Sequence, residues 1–123
     1  MRRAKKAAVT LASATAAIGL LLSSSATPAL AAGTYQGCPS GYVCLYPQDA
    51  GWNGGNPSYK WYSYGAHNLS NQFGTHRIFN NQTGGAIARN CTGYNGTGCQ
   101  GVQAANTYAD YNYTPYNSVV LAP

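Results

Sequence analysis

The apolar positions of this chain fall into short bursts rather than long periods. Tyr42-Val43-Cys44-Leu45-Tyr46 is rich in aromatic and β-branched residues and is bounded by "PSG" and "PQDAG". Tyr59-Lys60-Trp61-Tyr62-Ser63-Tyr64 is a second burst, and His76 to Phe79, Ala86 to Arg89 and Asn117 to Leu121 are shorter ones. Between them sit "NGG", "NQTGG" and "YNGTG", which carry the Asn-Gly and Gly-Gly chemistry of tight hairpins. No window sustains a 3.6-residue apolar period, and the density of Gly and Asn opposes helix. The pattern predicts short strands over 42–46, 59–64, 76–79, 86–89 and 117–121. Short strands separated by frequent turns imply an all-β sandwich or small barrel.

The pattern also repeats. "GWNG" at Gly51–Gly54 recurs as "GYNG" at Gly93–Gly96, an offset of 94 − 52 = 42 residues. Thr75-His76-Arg77-Ile78-Phe79 aligns with Asn117-Ser118-Val119-Val120-Leu121 at the same offset. Two matches at one offset predict two copies of one supersecondary unit.

The first residues have a different character. Arg2, Arg3, Lys5 and Lys6 precede an alanine-rich apolar run, Ala7 to Leu22, then serines and Ala29-Leu30-Ala31, a small-x-small cleavage pattern. This order predicts a secretory signal peptide over 1–31, an extracellular location and a single domain over 32–123. The apolar run is short for spanning hydrocarbon, so no membrane association is expected after cleavage. Four of the seven basic residues leave with the signal. Lys60, Arg77 and Arg89 then oppose Asp49 and Asp110, and the formal charge becomes 3 − 2 = +1. Without a basic patch, nucleic acid is not an expected partner.

A domain of this size buries only about 60–65% of its unfolded surface, so the core is thin. All four cysteines, Cys38, Cys44, Cys91 and Cys99, lie in the exported part, where disulfides are the default. Three pairings are open. The local one closes two short loops, each worth about 2–3 kcal/mol in the chain-entropy view. The C-x5-C and C-x7-C spacings do not match close zinc-ligand pairs, so neither metal nor cofactor is expected. Five N-x-S/T sequons begin at Asn68, Asn81, Asn90, Asn95 and Asn112. They matter only where the secreting cell glycosylates.

The repeat of about forty residues with Trp52-x-Gly54 and Tyr94-x-Gly96 resembles the βγ-crystallin Greek key. The opening "CPSGYVCLYPQDAGWNGG", with an early pair at Cys38 and Cys44 and a second at Cys91 and Cys99, resembles the secreted bacterial metalloproteinase-inhibitor family. The resemblance covers nearly all of 32–123. It implies two Greek-key motifs in a βγ-crystallin-like sandwich, stapled by Cys38–Cys44 and Cys91–Cys99, and a monomer. It implies inhibition of an extracellular protease, with the reactive bond carried over to Cys91-Thr92 and Thr92 facing the pocket beyond the cut. The zinc would belong to the target. The stretches matching crystallin calcium motifs, Asn71 to His76 and Tyr113 to Ser118, contain no carboxylate, so weak calcium binding or none is expected.

The inhibitory loop is therefore expected to be Cys91, Thr92, Gly93, Tyr94, Asn95, Gly96, Thr97, Gly98 and Cys99. A closed ring lowers the ordering entropy of binding and keeps the halves of a cut bond together. Tyr94 suits an aromatic anchor. The alternative is an extracellular glycan- or cell-wall-binding module, similar to crystallin-type antifungal and killer-toxin-like proteins. Its platform would be Tyr59, Trp61, Tyr62 and Tyr64, or Tyr108, Tyr111, Tyr113 and Tyr116, of which alternation turns about half inward. A protruding ring distinguishes the first reading, and three aromatics sharing one exposed face the second. Catalysis is not expected. The chain has no glutamate, and a paired-carboxylate mechanism would need Asp49 and Asp110 to meet. His67 and His76 lack a nucleophile motif such as G-x-S-x-G.

Overall fold

Aromatic and β-branched bursts alternate with turns whose glycines and asparagines accept positive φ, and the described residues respond with eight short strands. The computed structural model describes residues 33–123, so the signal-peptide reading of 1–31 lies outside the described residues. The strands are β1 Tyr42–Leu45, β2 Tyr59–Trp61, β3 Gly65–Asn68, β4 Thr75–Asn81, β5 Ile87–Cys91, β6 Cys99–Gln103, β7 Thr107–Asn112 and β8 Ser118–Ala122. Among the described residues, helix is confined to 3-10 turns at Asn53–Gly55 and Tyr94–Gly96. The fold is all-β.

Two four-stranded antiparallel sheets form, ordered β2-β1-β4-β7 and β3-β8-β5-β6. The orders follow one rule. Advancing every label by four around the cycle of eight converts the first sheet into the second, read from its other edge. Each half of the chain builds three neighbouring strands and contributes its third strand to the other sheet. The halves interlock through β4 with β7 and β8 with β3.

Alternation along the strands sets two buried layers. Val43, Leu45, Ile78, Ala88, Val119 and Leu121 meet between the sheets with Leu69 and Tyr113. The opposite face of β1 and β4 carries Cys44 and Phe79, which join Cys38 and Tyr46 in a second cluster under Tyr35, Tyr42 and Trp52. Trp52 meets Tyr35, Tyr46 and Phe79 edge-on at 5.5, 5.2 and 5.5 Å between ring centroids. It also lies 4.7 Å from Tyr108. The Arg77 guanidinium carbon sits 4.9 Å from the Trp52 centroid and 4.6 Å from that of Tyr108. Its Nε and Nη2 donate to Asp110 at 2.8 and 2.9 Å. Burial pushes the Tyr46 phenol up to about 12, so its hydroxyl stays a donor, here to the Gln36 carbonyl at 2.8 Å.

Both disulfides form, Cys38–Cys44 and Cys91–Cys99, the pairing that the resemblance implied. Such bonds belong to oxidising compartments and are consistent with an extracellular protein. No helix among the described residues is long and apolar enough to cross a membrane.

Three expectations change. The burst over 59–64 is not one strand. β2 stops at Trp61, and Tyr62, Ser63 and Tyr64 carry the chain to the other sheet, where β3 starts at Gly65 with φ 109°. β-propensity favours extended backbone but does not choose a partner sheet. β6 and β7 also escape the hydrophobic pattern, because they are edge strands with mostly exposed, amide-, glycine- and tyrosine-bearing positions. The repeat holds at the turns: Asn53 and Gly54 have φ of 49° and 63°, Asn95 and Gly96 of 59° and 76°. It slips at the strands. A 42-residue offset pairs core-facing Ile78 with Val120 and outward-facing Phe79 with core-facing Leu121. A one-residue shift exchanges the faces of a strand.

The Arg77–Asp110 pair gives a pH prediction. The hydrogen bond from Arg77 holds the Asp110 carboxyl below its ordinary 3.8, against a smaller upward push from desolvation. A depressed folded value contributes stability that is present above the ordinary value and lost as pH falls through the depressed one. The Asp110 side chain is 44% exposed, so the contribution is at most about 1 kcal/mol. Asp110→Asn should lower the urea midpoint at neutral pH and flatten its fall below about pH 4, measured by fluorescence.

Candidate functional site

The ring begins as ordinary ladder. Cys91 ends β5, Cys99 starts β6, and they are direct cross-strand partners. Thr92 N–H donates to Gly98 O at 3.1 Å and Gly93 N–H to Thr97 O at 2.9 Å, so antiparallel pairing runs into the loop. The Tyr94–Gly96 turn closes it, with the Thr97 hydroxyl donating to Tyr94 O at 3.0 Å.

The ring does not stand away from the body. It folds back over the outer face of the second sheet, and side chains of β3, of β8 and of Asn117 just before β8 hold it there. Asn68 Nδ2 donates to Asn95 Oδ1 at 3.0 Å, and Asn68 Oδ1 accepts from Asn95 N–H at 2.7 Å. Ser118 Oγ accepts from Gly96 N–H at 3.0 Å and donates to Gly93 O at 2.7 Å. Asn117 grips the base, its N–H donating to Cys91 O at 2.9 Å and its Nδ2 to Thr92 O at 2.8 Å. Gly96 is required twice over. Its φ is 76°, and a Cβ there would lie 2.9 Å from Val120 Cγ2 and 3.2 Å from Ala66 Cβ.

The clamped ring has two different sides. Cys91 is fully buried and its carbonyl is taken by the Asn117 N–H, so the Cys91-Thr92 carbonyl is directed across the sheet toward the start of β8. Thr92, Tyr94, Asn95, Thr97 and Gly98 are exposed. Tyr94 is 55% exposed, whereas Trp52, its counterpart in the first aromatic-Asn-Gly turn, is packed among four rings and a guanidinium. The clamps Asn68, Asn117 and Ser118 gave no sequence signal for this role. Asn68 and Asn95 are 27 residues apart, and nothing local links them.

The aromatic sets scatter. Tyr59 and Trp61 pack against the core, and Trp61 stacks on His67 at 5.5 Å and 23°. Tyr62 and Tyr64 are exposed on the crossover, with Tyr62 against Tyr42. Tyr113 is buried, and burial pushes its phenol well above the ordinary range. Tyr108 and Tyr111, an odd number of residues apart on β7, face opposite sides of the sheet. Exposed Tyr62, Tyr108 and Tyr111 each pack on a more buried ring, Tyr42, Trp52 and Tyr113, rather than on one another.

The remaining polar candidates have structural engagements. His76 is buried with Nδ1 2.7 Å from Tyr46 O and Nε2 2.9 Å from Phe73 O. His67 Nε2 lies 2.8 Å from Ser63 O. Asn81, a sequon residue, is buried and donates to Gly33 O and Cys38 O, both at 2.9 Å. Among the described residues no three His, Cys, Asp or Glu side chains gather as a metal site. Comparison with protein-family models, curated proteins and solved structures found no match to the chain.

The two aromatic turns should answer differently to truncation. Trp52→Ala should cost about 3 kcal/mol or more, because it opens a packed cluster. Tyr94→Ala should cost less than about 0.5 kcal/mol. Gly96→Ala should cost at least about 1–2 kcal/mol through its left-handed backbone alone. Urea unfolding at unchanged slope measures all three.

Proposed function

We propose that this chain is a secreted proteinase inhibitor, of the bacterial metalloproteinase-inhibitor kind it resembles, acting through the solvent side of the Cys91–Cys99 ring. The scaffold in this reading is two Greek-key units in a βγ-crystallin-like sandwich. The cyclic rule relating the two sheets supports it, since each half has the same strand path and exchanges its third strand. The two disulfides stand where the resemblance puts them.

The ring lies against the second sheet and does not protrude, contrary to the expectation for this reading, and a different observation carries it: the ring is held rigid from beneath while Tyr94 faces solvent. A loop already ordered by a disulfide and by Asn68, Asn117 and Ser118 loses little freedom on docking. An exposed tyrosine at its centre is the residue type that anchors interfaces. Thr92 flanks it on the exposed edge. The hydrogen-bonded Cys91 carbonyl gives the mechanism a definite form. A metalloprotease must polarise the carbonyl of the bond it cuts. Here that oxygen is buried and hydrogen-bonded, so the ring occupies the cleft and resists cleavage. The metal in the complex is the target's.

Residues 32–123, titrated against a thermolysin-like protease, should inhibit at micromolar concentration or below. Tyr94→Ala and Thr92→Gly should each raise the inhibition constant about tenfold, a loss of about 1.4 kcal/mol, with little change in melting temperature for Tyr94→Ala. Asn117→Ala, which removes the side-chain tie to Thr92 O but keeps the N–H bond to Cys91 O, should leave the ring uncut, with no new cleavage after Cys91 by mass spectrometry. Absence of inhibition at micromolar concentration overturns the reading. Inhibition untouched by both ring variants removes the ring from it.

A further inference from the structure

The two open edges of the sandwich are not alike. Where β2 lies over β3, Tyr59, Trp61 and His67 fill the space. Where β7 lies over β6, a cleft of about 120 Å³ remains, lined by Ile78, Ala88, Asn90, Gln103, Tyr111 and Tyr116 among others. A β-bulge lies beside it. Ala88 pairs with Gln103 and Asn90 with Gln100, so β6 spends one residue more than β5 over this stretch. Gly101 takes φ 63° there, and Val102 turns out to solvent.

Gln103 is the telling residue. It is 8% exposed, and its Nε2 donates to Ile78 O at 3.2 Å and Thr107 O at 2.8 Å. Those two carbonyls determine which end of the amide is nitrogen, since the flipped orientation would set oxygen against oxygen. Oε1 is left buried without a hydrogen-bond partner, although buried acceptors are nearly always satisfied. Asn90 stands on the same lining, its Oδ1 taken by the Tyr113 hydroxyl at 2.8 Å, which leaves its amide nitrogen as a donor.

The walls define the ligand class. Tyr111 and Tyr116 both rest edge-on against buried Tyr113, at 6.4 and 5.4 Å, so their rings are pre-positioned. The lining contains no carboxylate, and its one cation, Arg89, is exposed. A suitable occupant is neutral, accepts from Asn90, sets hydroxyls beside the unmet Gln103 amide and lays C–H groups on tyrosine rings. We propose that the cleft between β6 and β7 binds one neutral sugar ring, either a free monosaccharide or the end unit of a glycan. The site is independent of the Cys91–Cys99 ring and of its proposed role.

Amide NMR of residues 32–123 tests it, with N-acetylglucosamine and methyl glucoside as probes, cyclohexanol as the hydroxyl-poor control and chitotriose as the glycan end. Saturable shifts at the Gln103 side-chain amide, Val102 and Asn90 are expected from at least one sugar, with a dissociation constant of roughly 1–10 mM. Cyclohexanol should shift them more weakly. Tighter binding of chitotriose identifies the glycan end as the ligand, and equal or weaker binding the free sugar. Tyr111→Ala, which removes a wall, and Val102→Trp, which fills the mouth, should each weaken binding at least tenfold. Both change exposed positions, so folding is retained, whereas Gln103 variants also lose two backbone ties. Shifts absent at about 50 mM for every sugar, unaltered in both variants, or confined to Tyr62 and Tyr64 overturn the proposal.

Discussion

The pairing of β7 with β4 and of β3 with β8 is the constraint on which the molecule rests. Through it the third strand of each half completes the sheet of the other, in continuous register from Thr75 opposite Asn112 to Asn80 opposite Thr107. Neither half can close its sheet alone. The apolar faces of β1, β4, β5 and β8 therefore meet in one shared layer rather than two small ones. For a chain with so little core, that contiguity matters more than any single contact.

The exchange also decides where the halves diverge. Each aromatic-Asn-Gly turn lies over the outer face of one sheet. Over the first, Trp52 drops into a nest of Tyr35, Tyr46, Phe79 and Tyr108, with Arg77 against its ring and Asp110 holding Arg77. Over the second, Gly96 makes the contact and Tyr94 is turned out. The first turn contributes to the core, and the second costs the core an aromatic and is compensated by a disulfide and three polar clamps. The open edges diverge in the same way, one plugged by aromatic rings and the other left open around Gln103. Both proposed sites lie where one copy gives up packing that the other retains.

Buried amides do much of the joining that charges do elsewhere. Asn80 Nδ2 donates to Ala86 O at 3.1 Å and Gln103 O at 3.0 Å, while its Oδ1 accepts from Gln82 N–H and Nε2, both at 3.1 Å. These bonds stitch β4, the β4–β5 loop and β6 without any ionised group. With only two side-chain carboxylates in the chain, folding depends little on ion pairs, and among the described residues the Arg77–Asp110 bridge is the exception that titrates.

Local chemistry is what the sequence by itself determined. Aromatic and β-branched bursts, turns rich in Asn and Gly and the positive φ they permit specify an all-β chain with bends near Asn53–Gly54 and Asn95–Gly96, because each signal acts over a few residues. Cysteine count and composition placed two disulfides within reach. Tertiary structure alone decided the rest. It broke the 59–64 run at Trp61, since extended backbone is indifferent to which sheet it joins. It recruited edge strands at 99–103 and 107–112, whose polar faces carry no hydrophobic period. It brought Asn68 to Asn95 and Asn117 to Cys91 and Thr92, and so laid the ring down instead of letting it project. It left Gln103 Oε1 unpartnered at an open edge. Each of these follows from long-range pairing, in which a residue's role is set by neighbours tens of positions away, and no local pattern records them.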